Sequence, residues 1–307
     1  MSIITGGIRR ILKINTEEFY YIFLVLSMTT GNSTEHFIRS ITSSLQIHDG
    51  IWTSGIASAI SYSAEGNNDC FHVEENSYWF NHRNEILKLV ISEHSRGKRF
   101  FDIGGGNGFV TKALQDMGFE AWLVEPGYDG IINAKSRGVK NLINATFECA
   151  GFESGMLDNI GLFDVLEHIE SDQGIIDKIY QATSPGGRIF ITVPAYSFLW
   201  SDADVNAGHF RRYSRKTARH ILERAGFNVL YDTCFFSFLV PLIFILRTIP
   251  YRVLKRKKVG DVEEVHNIKW ELVNKLINRL CRYEMRKITH KNKILFGSSC
   301  LIIAEKI

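Results

Sequence analysis

Residues 101–110 read FFDIGGGNGF, with four glycines in five positions directly behind a short apolar run. A strand that runs into such a loop and then into a helix sets bare backbone N–H groups and a helix N-terminus against a ligand. The flanking sequence supplies both elements. KRFFDIG reads as a strand and GFVTKALQDMG as a helix ending at Gly118; EAWLVEP is a second strand, followed by a helix to about Gly138. NLINATFE, NIGLFDVLEH and GRIFITVPA read as three more strands, and SDQGIIDKIYQATSPGG, between the last two, as a helix up to Pro185. Ser214 is placed to N-cap RKTARHILERAG, with Gly226 just beyond its end. FNVLYDTCFF and the terminal ILFGSSCLIIAEKI read as a closing strand pair around an insertion, residues 237–294. Strands and helices alternating at this spacing predict an α/β chain with parallel βαβ units in a doubly wound sheet. Residues 1–75 lack the rhythm and read as an N-terminal extension.

The net charge of +3 hides an uneven spread: residues 247–293 hold 14 Lys or Arg against 5 Asp or Glu, and the remainder is net acidic. Such a segment is either a solvated basic helix or a surface for something anionic, a phosphate or a lipid surface. Its basic residues are not interleaved with stacking aromatics, so nucleic acid is not expected. CFFSFLVPLIFIL, residues 234–246, is apolar but broken by Pro241, and it is far shorter than the roughly 20 residues that span a bilayer. It can serve as a core helix, as a lid over an apolar ligand, or as an in-plane anchor with YRVLKRKK facing anionic headgroups. Downstream, Leu272, Val273, Leu276, Ile277 and Leu280 mark one face of an amphipathic helix. The five scattered cysteines lack CxxC spacing, which indicates neither a disulfide framework nor a zinc knuckle and fits a reducing, cytoplasmic setting. Glu17 and Glu18, between the basic Arg9, Arg10 and Lys13 and the apolar FYYIFLVLSM, argue against a signal peptide and for a packed helix.

Two cofactor classes use a glycine loop of this kind. A dinucleotide fingerprint, GxGxxG/A, needs Gly or Ala at position 109 for close helix–strand packing, and Phe109 stands there. Asp102 would also meet a pyrophosphate with like charge. The spacing Asp102-x-Gly104-x-Gly106-x-Gly108 suits a ligand whose near end is a cationic amino-acid moiety, because the aspartate attracts the ammonium.

FDIGGGNG resembles motif I of the class I S-adenosylmethionine-dependent methyltransferases. WLVEPG, GLFDVLEHI and SPGGRIFITVPA follow in that family's order, over roughly residues 76–236 and the last strand. The third is similar to the E/D-x-x-E-H version found in small-molecule O-methyltransferases of quinone biosynthesis. The resemblance implies a Rossmann-like domain at 76–307 with a seven-stranded, mostly parallel sheet. Its last strand, about 297–305, should be antiparallel and lie beside strand 227–236. It also implies S-adenosylmethionine as cofactor. Asp102 would orient the methionine amine, with Ile103, Gly104, Gly106 and Gly108 supplying close backbone. Glu125 would accept from both ribose hydroxyls, and Phe147 would lie near the adenine. Arg83, in SYWFNHRNEIL, would bind the carboxylate, and Asp164 would complete the cofactor set. Where Gly105 stands, the family usually carries Cys or Ser.

Asp164, Glu167 and His168 follow the fourth strand, and GHFRRYS places His209, Arg211 and Arg212 after the fifth. Both stretches fall at the carboxyl end of the sheet, where ligands bind in such folds. Methyl transfer from a sulfonium to a hydroxyl needs alignment and the removal of a proton, a task suited to histidine. Asp164, Glu167, His168 and His209 are therefore the catalytic candidates. A base is the preferred reading; a divalent metal held by the same residues, which the resemblance also implies, is the less favoured one. Arg211 and Arg212 suit an anionic acceptor, or ion pairing with the sheet's own acids. The expectation is an S-adenosylmethionine-dependent O-methyltransferase, cytoplasmic or membrane-associated. Its acceptor would be a small or lipid-linked molecule, with an anionic membrane surface as candidate partner. The competing readings are an NAD-type oxidoreductase and a catalytically silent binding module of methyltransferase fold.

Overall fold

The computed structural model describes residues 34–56, 64–254 and 271–307. The apolar stretch 19–28, the basic run 255–258 and the side chain of Leu272 lie outside them. The chain divides into two compact units, residues 1–43 and 44–307. In the first, residues 34–41 are helical and Ile38 and Ile41 are buried.

The second unit is built on one sheet. Its strands are β1 (Gln46–His48), β2 (Ile51–Thr53), β3 (Arg99–Ile103), β4 (Glu120–Val124), β5 (Leu142–Asn144), β6 (Leu157–Phe163), β7 (Thr183–Pro194), β8 (Phe227–Phe235) and β9 (Ser299–Lys306). They lie in the order β1-β2-β5-β4-β3-β6-β7-β9-β8. The strands from β2 to β7 pair in parallel, while β9 runs antiparallel between β7 and β8. The seven expected strands are present and the last is antiparallel, as the motifs implied. Among the described residues the sheet has nine strands rather than seven, because β1 and β2 form a hairpin that extends the edge beyond β5. The turn is Asp49–Gly50, both with positive φ (51° and 77°), the backbone a two-residue hairpin demands.

Central strands carry apolar residues on consecutive positions because helices cover both faces. Phe100 and Phe101 of β3 and Ile160 and Leu162 of β6 are fully buried. The strand expected over residues 141–148 ends at Asn144, and Thr146 caps a short helix, Phe147–Ala150, by accepting from Cys149 N. The helix expected up to Pro185 stops at Ala182, where β7 begins. Helix Arg215–Ala225 has the expected ends: Ser214 Oγ accepts from Thr217 N, and Gly226 closes it at φ 107°.

The insertion is helical. Leu239–Ile243, a π-turn Phe244–Thr248 and Ile249–Leu254 form one run. Leu239 and Val240 are buried, but Leu242, Ile245, Leu246 and Val253 are 50%, 57%, 64% and 71% exposed. The core-helix reading thus accounts for Leu239, Val240, Thr248 and the part-buried Ile243, and not for the exposed apolar residues among them. Among the described residues no helix is long and apolar enough to cross a membrane. Helix Glu271–Thr289 buries Ile277, Cys281, Glu284 and Ile288, whereas Leu276, expected on the apolar face, is exposed. A polar anchor sets the rotation. The Glu284 carboxylate accepts from the backbone N–H groups of Phe236 (2.8 Å) and Ser237 (2.7 Å) and meets His82 Nε2 at 3.2 Å.

Candidate active site

β3 delivers Asp102 and Ile103 into the glycine loop, and both are buried. Gly104 and Gly108 adopt φ of 66° and 69°, and each is closely approached: a Cβ would lie 2.9 Å from Val165 Cγ2 at the first and 2.9 Å from Ala134 Cβ at the second. Only glycine combines that backbone with that proximity. Gly108 is also the residue that opens helix Phe109–Asp116. Gly105 is confined differently. A Cβ there would stand 2.5 Å from Asp102 Oδ2 and 2.6 Å from Leu123 Cδ1, so this chain has no room for the Cys or Ser its motif relatives carry.

Glu125 follows β4 and is fully buried. Its Oε2 accepts from Gly106 N at 2.9 Å and its Oε1 from Gly127 N at 2.6 Å, which locks the loop against the end of β4. A carboxylate has about four lone-pair sites, so acceptor capacity remains for hydroxyls. Asp102 Oδ2 accepts from Thr111 Oγ1 at 2.6 Å, whereas its buried Oδ1 has no hydrogen-bond partner among the described residues. Burial raises the Asp102 carboxyl to about 6, against the downward pull of Thr111 and Arg83. A carboxylate placed like this is matched to a cation.

Arg83 projects from helix Tyr78–His94, with its guanidinium 5.2 Å from the Trp79 ring centroid and Nη1 3.2 Å from Asp164 Oδ2. Asp164 stands just past β6 at φ 58°, an uncommon backbone for a residue with a side chain. Phe147 opens the short helix after β5 and packs on Phe152 with ring centroids 5.6 Å apart. Phe109, at the position a dinucleotide fold reserves for Gly or Ala, faces Phe80 and the Arg137 guanidinium.

The acceptor candidates converge only in part. Glu167, His168 and His209 each offer a ligand atom within 4.8 Å of the others, and the two imidazoles meet edge to face at 4.7 Å. The backbone joins the two segments, since Phe210 N donates to Glu167 O at 2.8 Å. Asp164 does not belong to this cluster: its carboxylate faces Arg83. Burial and the neighbouring Asp164 hold the Glu167 carboxyl well above its ordinary range, and burial together with His209 lowers His168 to about 4.

Asp204 is the residue that sequence reasoning missed. It is fully buried, and its Oδ1 meets His209 Nδ1 at 3.0 Å and accepts from Arg212 Nε at 2.6 Å, while its Oδ2 accepts from Ser201 N at 2.9 Å. Burial alone would raise this carboxyl, but the donors His209 and Arg212 outweigh it and leave it below its usual value. An ionised carboxylate only accepts, so His209 Nδ1 must carry the hydrogen, and in the neutral ring Nε2 keeps the lone pair. The signal in the sequence was Ser201-x-x-Asp204, a capping box with the acid at its fourth position. Arg212 is occupied by Asp204, and Arg211 by Asp172 at 2.7 Å. Ion pairing, the plainer of the two readings for these arginines, is what the structure shows.

Comparison with known proteins places this geometry. The chain is 24% identical over 147 residues to a ubiquinone biosynthesis O-methyltransferase of Burkholderia vietnamiensis, covering 44% of this chain and 63% of that protein. To the protein of the same name in Pectobacterium atrosepticum it is 26% identical over 137 residues, covering 41% and 57%. The chain thus spans about three fifths of the length of these relatives. Among solved structures, the S-adenosyl-L-methionine complex of Haemonchus contortus phosphoethanolamine N-methyltransferase 2 superposes with a TM-score of 0.51 at 17% identity, covering 82% of this chain and 61% of that one. A chain from the Haloferax volcanii complex of the Trm112 methyltransferase activator with a methyltransferase gives 0.51 at 14% identity, covering 79% and 95%. At such identities the likeness speaks for the fold. The family model described as a methyltransferase domain matches residues 77–232, which hold the glycine loop, Glu125, Asp164 and both histidines. By that match over half its length, the chain belongs to the methyltransferase-domain family.

Proposed function

We propose that this protein is an S-adenosylmethionine-dependent methyltransferase acting on a hydroxyl oxygen of a small amphiphilic acceptor. The observation that carries the reading is Asp102: a fully buried carboxylate beside the glycine loop, with one oxygen lacking any donor among the described residues. A pyrophosphate cofactor would make that arrangement worse, and the ammonium of a methionine moiety would satisfy it. S-adenosylmethionine, when bound, supplies an electrophilic methyl on a sulfonium. The chain's own residues do the rest. Asp102 holds the ammonium, Glu125 takes the ribose hydroxyls, and Arg83, with its Asp164 partner, takes the carboxylate. Ile103 and the loop glycines give the backbone approach, and Phe147 walls the adenine side.

His209 Nε2 receives the proton that the acceptor hydroxyl loses, and Asp204 fixes the ring for that transfer by holding Nδ1–H. Glu167 and His168 border the same space. A second reading rests on their spacing: Glu167, His168 and His209 fit a divalent ion, which would lower the hydroxyl's pKa. An Asp204-oriented imidazole serves either role. The exposed apolar side chains Leu242, Ile245, Leu246 and Val253 support an acceptor with an apolar body, met at a membrane surface.

Calorimetric titration with S-adenosylhomocysteine and with NAD tests the reading. S-adenosylhomocysteine should bind and NAD should not. Binding of NAD alone would overturn it, and binding of neither would favour a silent scaffold.

A further inference from the structure

A cavity of about 410 Å³ opens between the start of helix Arg215–Ala225, strand β8 and the segment entering β9. Arg215, Lys216, Arg219 and Lys293 line it, with Asp232 as its one acid. Asp232 is saturated: Arg215 Nη2 and Lys293 Nζ each lie 2.6 Å from its carboxylate. Arg219 stands 3.9 Å from Asp232 and pairs with Glu223 behind it, while Lys216 is exposed and pairs with no carboxylate among the described residues. Even with Glu223 counted, four cations face two acids. Their placement opposes the local field. A helix N-terminus carries a partial positive charge and normally collects acids, yet this one begins with Arg215 and Lys216 and has no acid in its first turn. An anion in the cavity would relieve both excesses of positive charge.

The cavity does not stand alone. Tyr196, on its wall, stacks on Phe296 and Phe198 with centroids 5.1 Å and 5.4 Å away, and Phe198 meets Phe244 of the insertion at 6.0 Å. In the same helical run Ile245, Leu246 and Val253 form an exposed apolar set, the ridge. Phe198, Phe244 and Phe296 are themselves 39%, 39% and 46% exposed. Exposed apolar groups beside a cationic cavity suit a membrane contact, with apolar groups at acyl depth and cations at headgroup level.

We propose that the cavity and the ridge form one docking site that takes the phosphate of an anionic phospholipid headgroup, with the ridge seated in the outer acyl layer. This rests on the amphiphilic, membrane-side acceptor proposed above and names the group the protein grips there. A free phosphate would use the cavity but have no use for the ridge.

Flotation of the full chain with vesicles of phosphatidylcholine alone, or mixed with phosphatidylglycerol, tests it. The protein should partition more strongly onto the mixed vesicles. Lys216→Ala with Arg219→Ala leaves the close pairs of Asp232 in place and should weaken that preference about thirty-fold. Ile245→Ser with Leu246→Ser should lower partition onto both vesicle types. Equal partition of the wild type onto both, or an unaltered preference in the charge variant, would overturn the proposal. So would inorganic phosphate binding, lost in the charge variant, without any vesicle binding, which would mark a site for free phosphate. S-adenosylhomocysteine titration of every variant separates this outcome from the cofactor reading: its failure in the wild type would refute that reading and leave the vesicle result standing.

Discussion

Acidification should weaken cofactor binding through a single carboxylate. Asp102 is fully buried, and its carboxyl is raised from 3.8 to about 6. That displacement of roughly two units, at about 1.36 kcal/mol each, means that the ligand-free fold disfavours the ionised form by about 3 kcal/mol. The sign follows from linkage. Between these two values the folded chain holds a proton that the unfolded chain has released, so this group's contribution to stability falls as pH rises from about 4 to about 6 and stays low above that. A bound ammonium reverses the preference, because the charged carboxylate then has its partner. Binding near pH 6 should therefore release a proton, and affinity for S-adenosylhomocysteine should drop about tenfold between pH 7 and pH 5. Calorimetry in two buffers of different ionisation enthalpy measures both quantities. Asp102→Asn should abolish the proton release and cost about 1.5–3 kcal/mol of binding at pH 7, while the free protein loses the stability gain on acidification. A pH-independent affinity without proton release in the wild type would refute the reasoning, as would an unchanged profile in Asp102→Asn.

Gly105→Ser should destabilise the fold by about 1–3 kcal/mol, read as a lower denaturant midpoint, because its Cβ would crowd Asp102 Oδ2 and Leu123 Cδ1. His209→Asn should abolish turnover while S-adenosylhomocysteine binding persists; activity that is lost to a chelator and restored by Mg²⁺ or Zn²⁺ would assign His209 to a metal instead. Asp204→Asn should also lose turnover, and it should cost about 3–5 kcal/mol of stability in a melt because Arg212 loses its buried counter-ion. Glu284→Gln should cost about 2 kcal/mol. Burial pushes the Glu284 carboxyl up, but His82, Ser237 and Phe236 outweigh it and hold it low, so its stabilisation is present above the ordinary carboxylate range and fades as pH falls through the lowered value. The variant's acid-side stability curve should flatten accordingly.

What the sequence disclosed follows from how local each signal is. The glycine loop, Asp102 and Glu125 were legible because a strand end, a turn and a helix start are written in adjacent residues. The seven main strands and the antiparallel sense of the last followed from alternation and motif order together. The hairpin Gln46–Thr53 went unread although Asp49–Gly50 is a hairpin turn signal, because strands of three residues are too short to show alternation. The buried face of helix Glu271–Thr289 was misassigned because a charged residue, Glu284, anchors it. Arg211 and Arg212 looked open to a ligand because Asp172 is 39 residues from Arg211 in sequence and Asp204 sits in a five-residue helix with no apolar period. Spacing alone does not disclose partners of that kind.

β8 and β9 are neighbours, and Ser298 N donates to Phe236 O across the gap at 3.4 Å. The whole excursion between them therefore starts and finishes at one point of the sheet. Closing such a loop costs entropy that grows only with the logarithm of its length, about 0.6 kcal/mol for each doubling. Away from the buried Leu239, Val240, Ile277, Glu284 and Ile288, length can be added or removed there at little loop-closure cost, while the strands that carry the glycine loop keep their register. In evolutionary terms the excursion between those anchors is an adjustable part: selection can change its length and surface without disturbing the strands that carry the glycine loop.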